Sequence, residues 1–436
     1  MIAALVTTLI ALAAGTPLAI LLSKRRFDLL VLAEAYLLGI AVQSAALFAL
    51  ALCGVPWSRV TAIGTVVVIG VIAARRGRWA IEKPHIVDAV TLVVIAGYAR
   101  FATVASPTDA DYIGIWGMKA RAFDAVRGID WTFLAQPYNA FAHVDYPLLV
   151  PLAYDFQALI AGAWIDRWAG ALNVGFALAT LLVVRSFLGA EMRPLFAALG
   201  TLALAPLACS PWVGLAEGAL VAFGTTALLE ARADELTRAA VFLGLAASCK
   251  NEGLTLIVAV ALALLIAGEG RRIVKLWPAI AIPLPWLIVS RAHGLHGDLA
   301  AGDVFGRILG HLADPMPLVR AIAANPPGRP LFWIGIALAL ALGIRDVVRR
   351  ERFLAAAIAL QAFAFLAAYV VTPHDVSWHV RWSWERLLMQ LVVPLGFLAL
   401  KEVSQNADPR HDRAEYAEAD VQRQHSDDEN RQADGA

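Results

Sequence analysis

The sequence predicts an all-α polytopic membrane protein, and three observations carry that prediction. Hydrophobic residues make up 60% of the 436-residue chain and charged residues only 16%, against about half and about a quarter in soluble domains. The mean hydropathy is +0.67. Separate apolar runs recur along the chain, many of them reaching the roughly 17–25 residues of a bilayer-spanning helix, and no run of alternating short strands suggests a barrel.

The elements follow in order. "MIAALVTTLIALAAGTPLAILLSKRR" has no basic residue before its apolar core, so it reads as a first span rather than a cleavable signal. Apolar segments lie near 2–22, 29–53, 60–74 and 87–105. Others lie near 168–188, 194–210, 214–231, 237–249, 254–268, 273–290, 330–345, 353–371 and 387–400. The short basic links "SKRR", "RRGR", Arg185 to Arg193, "ARADELTR", "GEGRRIVK" and "RDVVRRER" are expected on the cytoplasmic side. The alternate links are richer in Trp, His, Pro and acidic residues, and the longest are 106–167, 291–329 and 372–386. This alternation requires that "YPLLVPLAYDFQALIAGAW", with Asp155 and Gln157 at its middle, lie on the outer membrane surface instead of crossing. The expectation is therefore about 13 transmembrane helices, N-terminus outside and C-terminus inside. Residues 1–86 form N-terminal membrane helices, 87–401 a membrane core with outside loops, and 402–436 a polar tail with too few aliphatic residues to bury a core.

Several functions are unsupported. A formal net charge of +1 names no class of partner. Cys53, Cys209 and Cys249 share no metal-ligand spacing, and their odd number argues against a disulfide framework. There is no Gly-rich phosphate loop, no HExxH and no aromatic–basic pattern for nucleic acid.

Polar residues at span ends are the functional candidates, and on this topology they gather outside from five separate stretches. The first is "SPTDADYIGIWGMKARAF". Asp109 and Asp111 open a helix on which Asp111 and Lys119 share a face two turns apart, and one of the two carboxylates is expected to cap it. The second is "FAHVDYPLLVP", with His143, Asp145 and Tyr146. The third is Glu217, an acid at the start of an apolar span. The fourth is "SCKNEGLTL", where Lys250, Asn251 and Glu252 form a tight turn. The fifth is "TPHDVSWHVRWSWERLLMQ": His379, Trp382 and Arg386 follow i, i+3, i+7 on one helical face, with Trp378, Arg381 and Glu385 beside them. An aromatic belt accounts for the tryptophans; arginines on a non-cytoplasmic side point instead to an anion such as phosphate.

These pieces, in this order over about residues 87 to 400, resemble the GT-C class of integral-membrane glycosyltransferases, in particular the protein mannosyltransferase-like and aminoarabinose-transferase-like branches. The acidic motif opening the first large outside loop, the "HVDYP" motif, the acid of "GLAEGAL", the "KNEG" turn and "SWERLL" before the last span carry the resemblance. The family's paired acids are separated here by Ala110, the second Pro of its Pro-Pro motif is Leu148, and three spans precede the one leading into the acidic loop.

The resemblance implies an inverting glycosyltransferase in the cell (inner) membrane with its site facing the periplasm. It implies a polyprenyl-phosphate sugar donor and a glycolipid, glycan or protein acceptor. Asp111, or else Asp109, would be the general base. Arg386, Arg381, Lys250 and His379 would hold the donor phosphate, and Glu217, Glu252, His143, Asp145, Tyr146 and Lys119 would orient substrate. A divalent metal could sit among the carboxylates, although no spacing requires one. The rival class is a transporter or flippase for a lipid-linked or anionic substrate, which would be expected to show internal repeats and mid-membrane polar residues. The glycine-rich stretch 291–329, with His293, His296, Asp298, Asp303 and His311, reads as a mobile lid, with a metal site among these side chains as the alternative.

Overall fold

The computed structural model describes residues 2–23, 28–73, 84–209, 213–297 and 302–407. The "RRGR" link, most of "SKRR", Asp298 and residues 408–436 of the expected tail lie outside the described residues. Among the described residues every regular element is helical.

The chain opens with α1 (Ile2–Ser23) and α2 (Leu29–Leu52), an antiparallel pair. Gly15 and Gly39 set its separation: a Cβ on either would fall within 2 Å of a backbone carbonyl of the other helix, 1.8 Å from Ala35 or 1.9 Å from Ala11. Small residues let backbones approach this closely where lipid supplies no hydrophobic drive between helices. The Asp28 carboxylate accepts from the Val31 N–H and caps α2. After α3 (Arg59–Ile72) and α4 (Ile86–Val104) comes the long acidic loop. It contains a π-helical turn (Tyr112–Trp116), α5 (Gly117–Val126), α6 (Trp131–Ala135), a 3-10 turn (Pro137–Ala142) and α7 (Leu149–Ala161).

The next helices form the middle of the bundle: α8 (Trp168–Glu191), α9 (Pro194–Ala208), α10 (Glu217–Arg232), α11 (Leu236–Ala247) and α12 (Glu252–Ile266). A 3-10 segment (Gly270–Leu276) leads into α13 (Trp277–Ala281) and α14 (Leu284–Ala292). The stretch read as a lid holds α15 (Val304–Ala313) and α16 (Met316–Ala324), the latter packed on a later helix, α20. The chain closes with α17 (Pro330–Leu342), α18 (Ile344–Arg350), α19 (Arg352–Val371), α20 (Val376–Met389) and α21 (Val392–Ala407). α21 thus runs past residue 402, where the sequence suggests the polar tail begins.

Five helices, α1, α2, α4, α8 and α19, are long and apolar enough to cross a membrane. Two bent pairs raise that to seven: Gly270–Ala281 with α14, at 52°, and α17 with α18, at 73°. The remaining expected segments form helices of 12 to 16 residues, about 18–24 Å against a hydrocarbon thickness of about 30 Å.

The structure corrects the reading of α7. A helix spread on a membrane surface would expose one face, but every residue from Leu149 to Leu159 is buried. It packs among α1, α2 and α5. The apolar residues on both sides of Asp155 and Gln157 face protein neighbours all round.

Charge gathers at the two ends of the bundle. At one end Arg232 donates to Glu191 (2.9 Å) and Glu351 (2.6 Å), and Lys401 pairs with the same two acids. This closes a four-member ring between α8, α10, α21 and the residue preceding α19. Nearby, Arg238 lies between Glu34 and Glu230, all three buried, and Arg185 pairs with Asp88 at 3.0 Å. Several links read as basic and cytoplasmic meet here. α10 carries the chain from this end to the other over roughly 22 Å, and its first residue is Glu217.

Candidate functional site

The acidic loop begins where α4 stops. The Asp109 carboxylate accepts from the Asp111 N–H at 2.9 Å, a side-chain-to-backbone turn that Asp favours. Asp109 therefore serves the local backbone, and the Asp111 side chain makes no cap bond to the following turn. Burial, the carboxylate of Asp111 and that of Glu217 push the Asp109 pKa up, against the opposing pull of the accepted N–H and of Arg386. The π-helical turn then shifts the angular register of α5. Asp111 and Lys119 consequently join different clusters instead of sharing one face.

Asp111 meets Arg386, 275 residues away in sequence, at 2.5 Å. Arg386 lies on α20, whose N-terminus is capped by Asp375 accepting from the Trp378 N–H. Its guanidinium also donates to the Trp382 carbonyl (3.1 Å) and lies 3.8 Å from Glu217. Glu217 accepts from Lys250 at 3.1 Å, and Lys250 lies 2.7 Å from Glu252. Asp111, Arg386, Glu217, Lys250 and Glu252 thus form an alternating row of charges. Burying such groups is costly unless each sits beside its opposite, and the alternation does this. Burial alone would lower the Lys250 pKa, but Glu217 and Glu252 on either side hold it above the usual lysine range. One oxygen of Glu217 and one of Glu252 remain buried without a hydrogen-bond partner.

The residues of the "KNEG" turn divide between three tasks. Lys250 and Glu252 belong to the charged row, and Asn251 donates to Asp145 at 3.1 Å. A Cβ on Gly253 would fall 2.3 Å from the backbone of Ala246 and Ala247, so only glycine permits α12 to start against the end of α11. Gln361, a glutamine midway along α19, donates to the Glu252 carbonyl (3.1 Å) and to Thr255 (2.9 Å). Glu252, Leu220, Leu256, Phe365 and Gln390, among others, line a pocket whose free space, about 10 Å³, is that of a single water.

Asn251 links this row to a second cluster. Lys119, fully buried, donates to the His143 carbonyl at 2.6 Å and lies over the rings of Trp116 and Tyr146. His143 stacks on Tyr146 with ring centres 4.6 Å apart. The Asp145 carbonyl accepts from the Trp286 indole. Burial lowers the Lys119 pKa to about 7, with Asp145 opposing the shift.

Two nominated residues stand apart. Arg381 is exposed on α20 and does not join the row. The ring nitrogen Nδ1 of His379 bonds the Thr372 hydroxyl at 2.8 Å, and its ring lies edge-on to Tyr369. The acids of the row alternate with cations, and among the described residues no three His, Cys, Asp or Glu side chains converge. This donor set does not fit a divalent ion. In the stretch after α14, His293 stacks on Trp131, Asp303 caps α15 and His311 bonds the Val370 carbonyl, so these residues serve separate packing tasks.

Sequence reasoning missed Gln361 and Asp166. A lone amide inside the apolar run of α19 was the available signal for the first. Asp166 accepts from Tyr112 (2.8 Å), Trp164 (2.9 Å) and Arg121 (3.1 Å), and its signal was the pair of tryptophans flanking it in "WIDRW". Arg121 and the two aromatic donors outweigh burial and hold the Asp166 carboxyl below the usual range.

No family model, no curated protein and no solved structure matches this chain.

Proposed function

We propose that the protein is an inverting glycosyltransferase that moves a sugar from a polyprenyl-phosphate carrier to an acceptor hydroxyl at the outer face of the cell membrane. In this reading the shorter helices cross together with the long ones, giving about 13 spans, and the charged row faces the periplasm. The observation that carries the proposal is the meeting of Asp111, Arg386, Glu217, Lys250 and Glu252, from regions far apart in sequence.

The chemistry follows from the row. A lipid phosphate leaving group is already anionic and needs positive charge rather than an acid, which Arg386 and Lys250 supply. The incoming hydroxyl must lose its proton while attacking the anomeric carbon, and in this reading Asp111 takes it. The new glycosidic bond forms as the anomeric carbon–phosphate oxygen bond breaks. The proton goes to Asp111 and the bonding pair leaves on the carrier phosphate. Inversion requires the base and the leaving phosphate on opposite faces of the sugar. The unclaimed oxygens of Glu217 and Glu252 are suited to hydroxyl donors on the donor sugar.

The test is sugar transfer by the full chain in reconstituted bilayers, using a panel of polyprenyl-phosphate sugars. Transfer that Arg386→Ala abolishes supports the reading. Absence of transfer with every donor, together with passage of the lipid-linked substrate across the bilayer, replaces it with a transporter.

A further inference from the structure

α15 has the polarity of a soluble surface helix turned inside out. Phe305, Leu309 and Leu312, at i, i+4 and i+7, form one stripe, and they are 71%, 52% and 61% exposed. No residue of the helix is buried. Its polar side chains Arg307 and His311, one turn apart on the opposite face, turn toward the protein. Arg307 donates to the Val371 carbonyl at 3.0 Å, and Nδ1 of His311 bonds the Val370 carbonyl at 2.8 Å. These belong to the last two residues of α19, whose carbonyls have no partner within their own helix.

The place of that contact says what lies beyond the stripe. α19 is long and apolar enough to cross a membrane, and its 20 residues make about 30 Å of helix, the hydrocarbon thickness of a bilayer. Glu351, just before it, belongs to the ring of charges at one end of the bundle. On the membrane reading the C-terminus of α19 therefore marks the opposite boundary of the bilayer, and α15 lies against that boundary. Its ten residues make about 15 Å, too short to cross. Asp303 and Asp314, both exposed, keep its two ends polar. The neighbouring α16 buries Ala321 and sets Leu318 and Ile322 against the core, so the outward apolar stripe belongs to α15 and is not the mark of a loosely packed region.

We propose that α15 lies in the plane of the bilayer at this boundary, with Phe305, Leu309 and Leu312 among lipid acyl chains and with Arg307 and His311 holding the end of α19. Lipid is the occupant of the stripe because lipid is what surrounds the end of a span. The inference needs the membrane reading but not the transferase reading; in the topology proposed above the leaflet is the outer one. It also changes the part played by 291–329. Instead of a lid that swings through water, the middle of this stretch is seated on the membrane by one face and on α19 by the other.

Two experiments test this. In the first, the unmodified full chain in phosphatidylcholine vesicles is irradiated with a phosphatidylcholine that carries a diazirine in its acyl chain, then digested with trypsin. Arg307 and Arg320 bound a peptide of residues 308–320, and label should appear on its Leu309 and Leu312, as it should on Phe363, 68% exposed on α19. Label on Phe363 with none on residues 308–313 overturns the proposal. In the second, single nitroxide labels replace Phe305, Leu309 or Leu312 in a chain whose free cysteines, Cys53, Cys209 and Cys249, are changed to alanine. At all three positions relaxation by oxygen, which concentrates among acyl chains, should exceed relaxation by a water-soluble nickel complex. The reverse order overturns the proposal in favour of a stripe in water. Exclusion of both reagents, with spin–spin broadening that dilution by unlabelled chain removes, overturns it in favour of a second copy of the chain.

Discussion

The carboxylate of Asp111 and the guanidinium of Arg386 lie 2.5 Å apart across 275 residues of sequence. In the proposed reaction these two groups have different partners, the acceptor hydroxyl and the carrier phosphate. The two groups pair with each other, so on this proposal a phosphate that takes Arg386 competes with Asp111 for it.

That competition predicts an unusual phenotype. Asp111→Asn should bind polyprenyl phosphate more tightly than wild type, by about 5- to 10-fold or roughly 1 kcal/mol, while losing transfer. Titration of the carrier lipid into both proteins in nanodiscs checks it. Weaker binding by the variant would show that Asp111 does not compete for Arg386.

The two arginines nominated on α20 should separate cleanly. Arg386→Ala leaves Asp111 and Glu217 without their shared cation, so it should abolish transfer and cost about 3 kcal/mol in stability. Arg381→Ala, on an exposed side chain, should stay within about 0.5 kcal/mol of wild type. Thermal midpoints and transfer rates of both variants check this.

The row and the glycine behind it were legible in the sequence because each carries a local signal. Glu217 is an acid at the start of an apolar run, and "KNEG" interrupts two such runs. Their mutual contacts were not legible, since nothing local joins residue 111 to residue 386. The same limit explains α7: an apolar helix with Asp155 and Gln157 at its middle reads as a surface helix until both of its faces are seen to be covered. Span length misleads in the opposite direction. α10 and α11 are buried on nearly every side, and their apolar composition reports protein neighbours as much as lipid. The π-helical turn after Asp111, which sends Asp111 and Lys119 to different clusters, has no sequence signature.

Gly253→Ala should damage the site without touching a charged group. The added Cβ meets the backbone of Ala246 and Ala247, which cannot retreat as a side-chain tip would. Overpacking of this kind costs about 1–3 kcal/mol, and the displaced turn carries Lys250 and Glu252 with it. Transfer should fall along with the thermal midpoint.

Lys119 gives a pH dependence of defined sign. Burial lowers its folded-state pKa to about 7 from an ordinary value of 10.5. Below pH 7 the lysine is charged in both folded and unfolded chains, and the full burial cost is present. Between pH 7 and 10.5 the unfolded chain binds the extra proton, so stability rises with pH across that window. Lys119→Met should remove this rise, as read from thermal midpoints in detergent at a series of pH values.

Separate Asp109→Asn and Asp111→Asn variants, matched for expression and assayed for sugar transfer from polyprenyl-phosphate donors, test the central assignment most directly. Asparagine at 109 still accepts the backbone N–H that Asp109 accepts now, so that variant should keep transfer within about tenfold of wild type. Asparagine at 111 cannot take the acceptor's proton, and transfer should fall by about 10²- to 10⁴-fold. Loss of transfer in Asp109→Asn with activity kept in Asp111→Asn would contradict the assignment of the base and, with it, the role given to the Asp111–Arg386 pair.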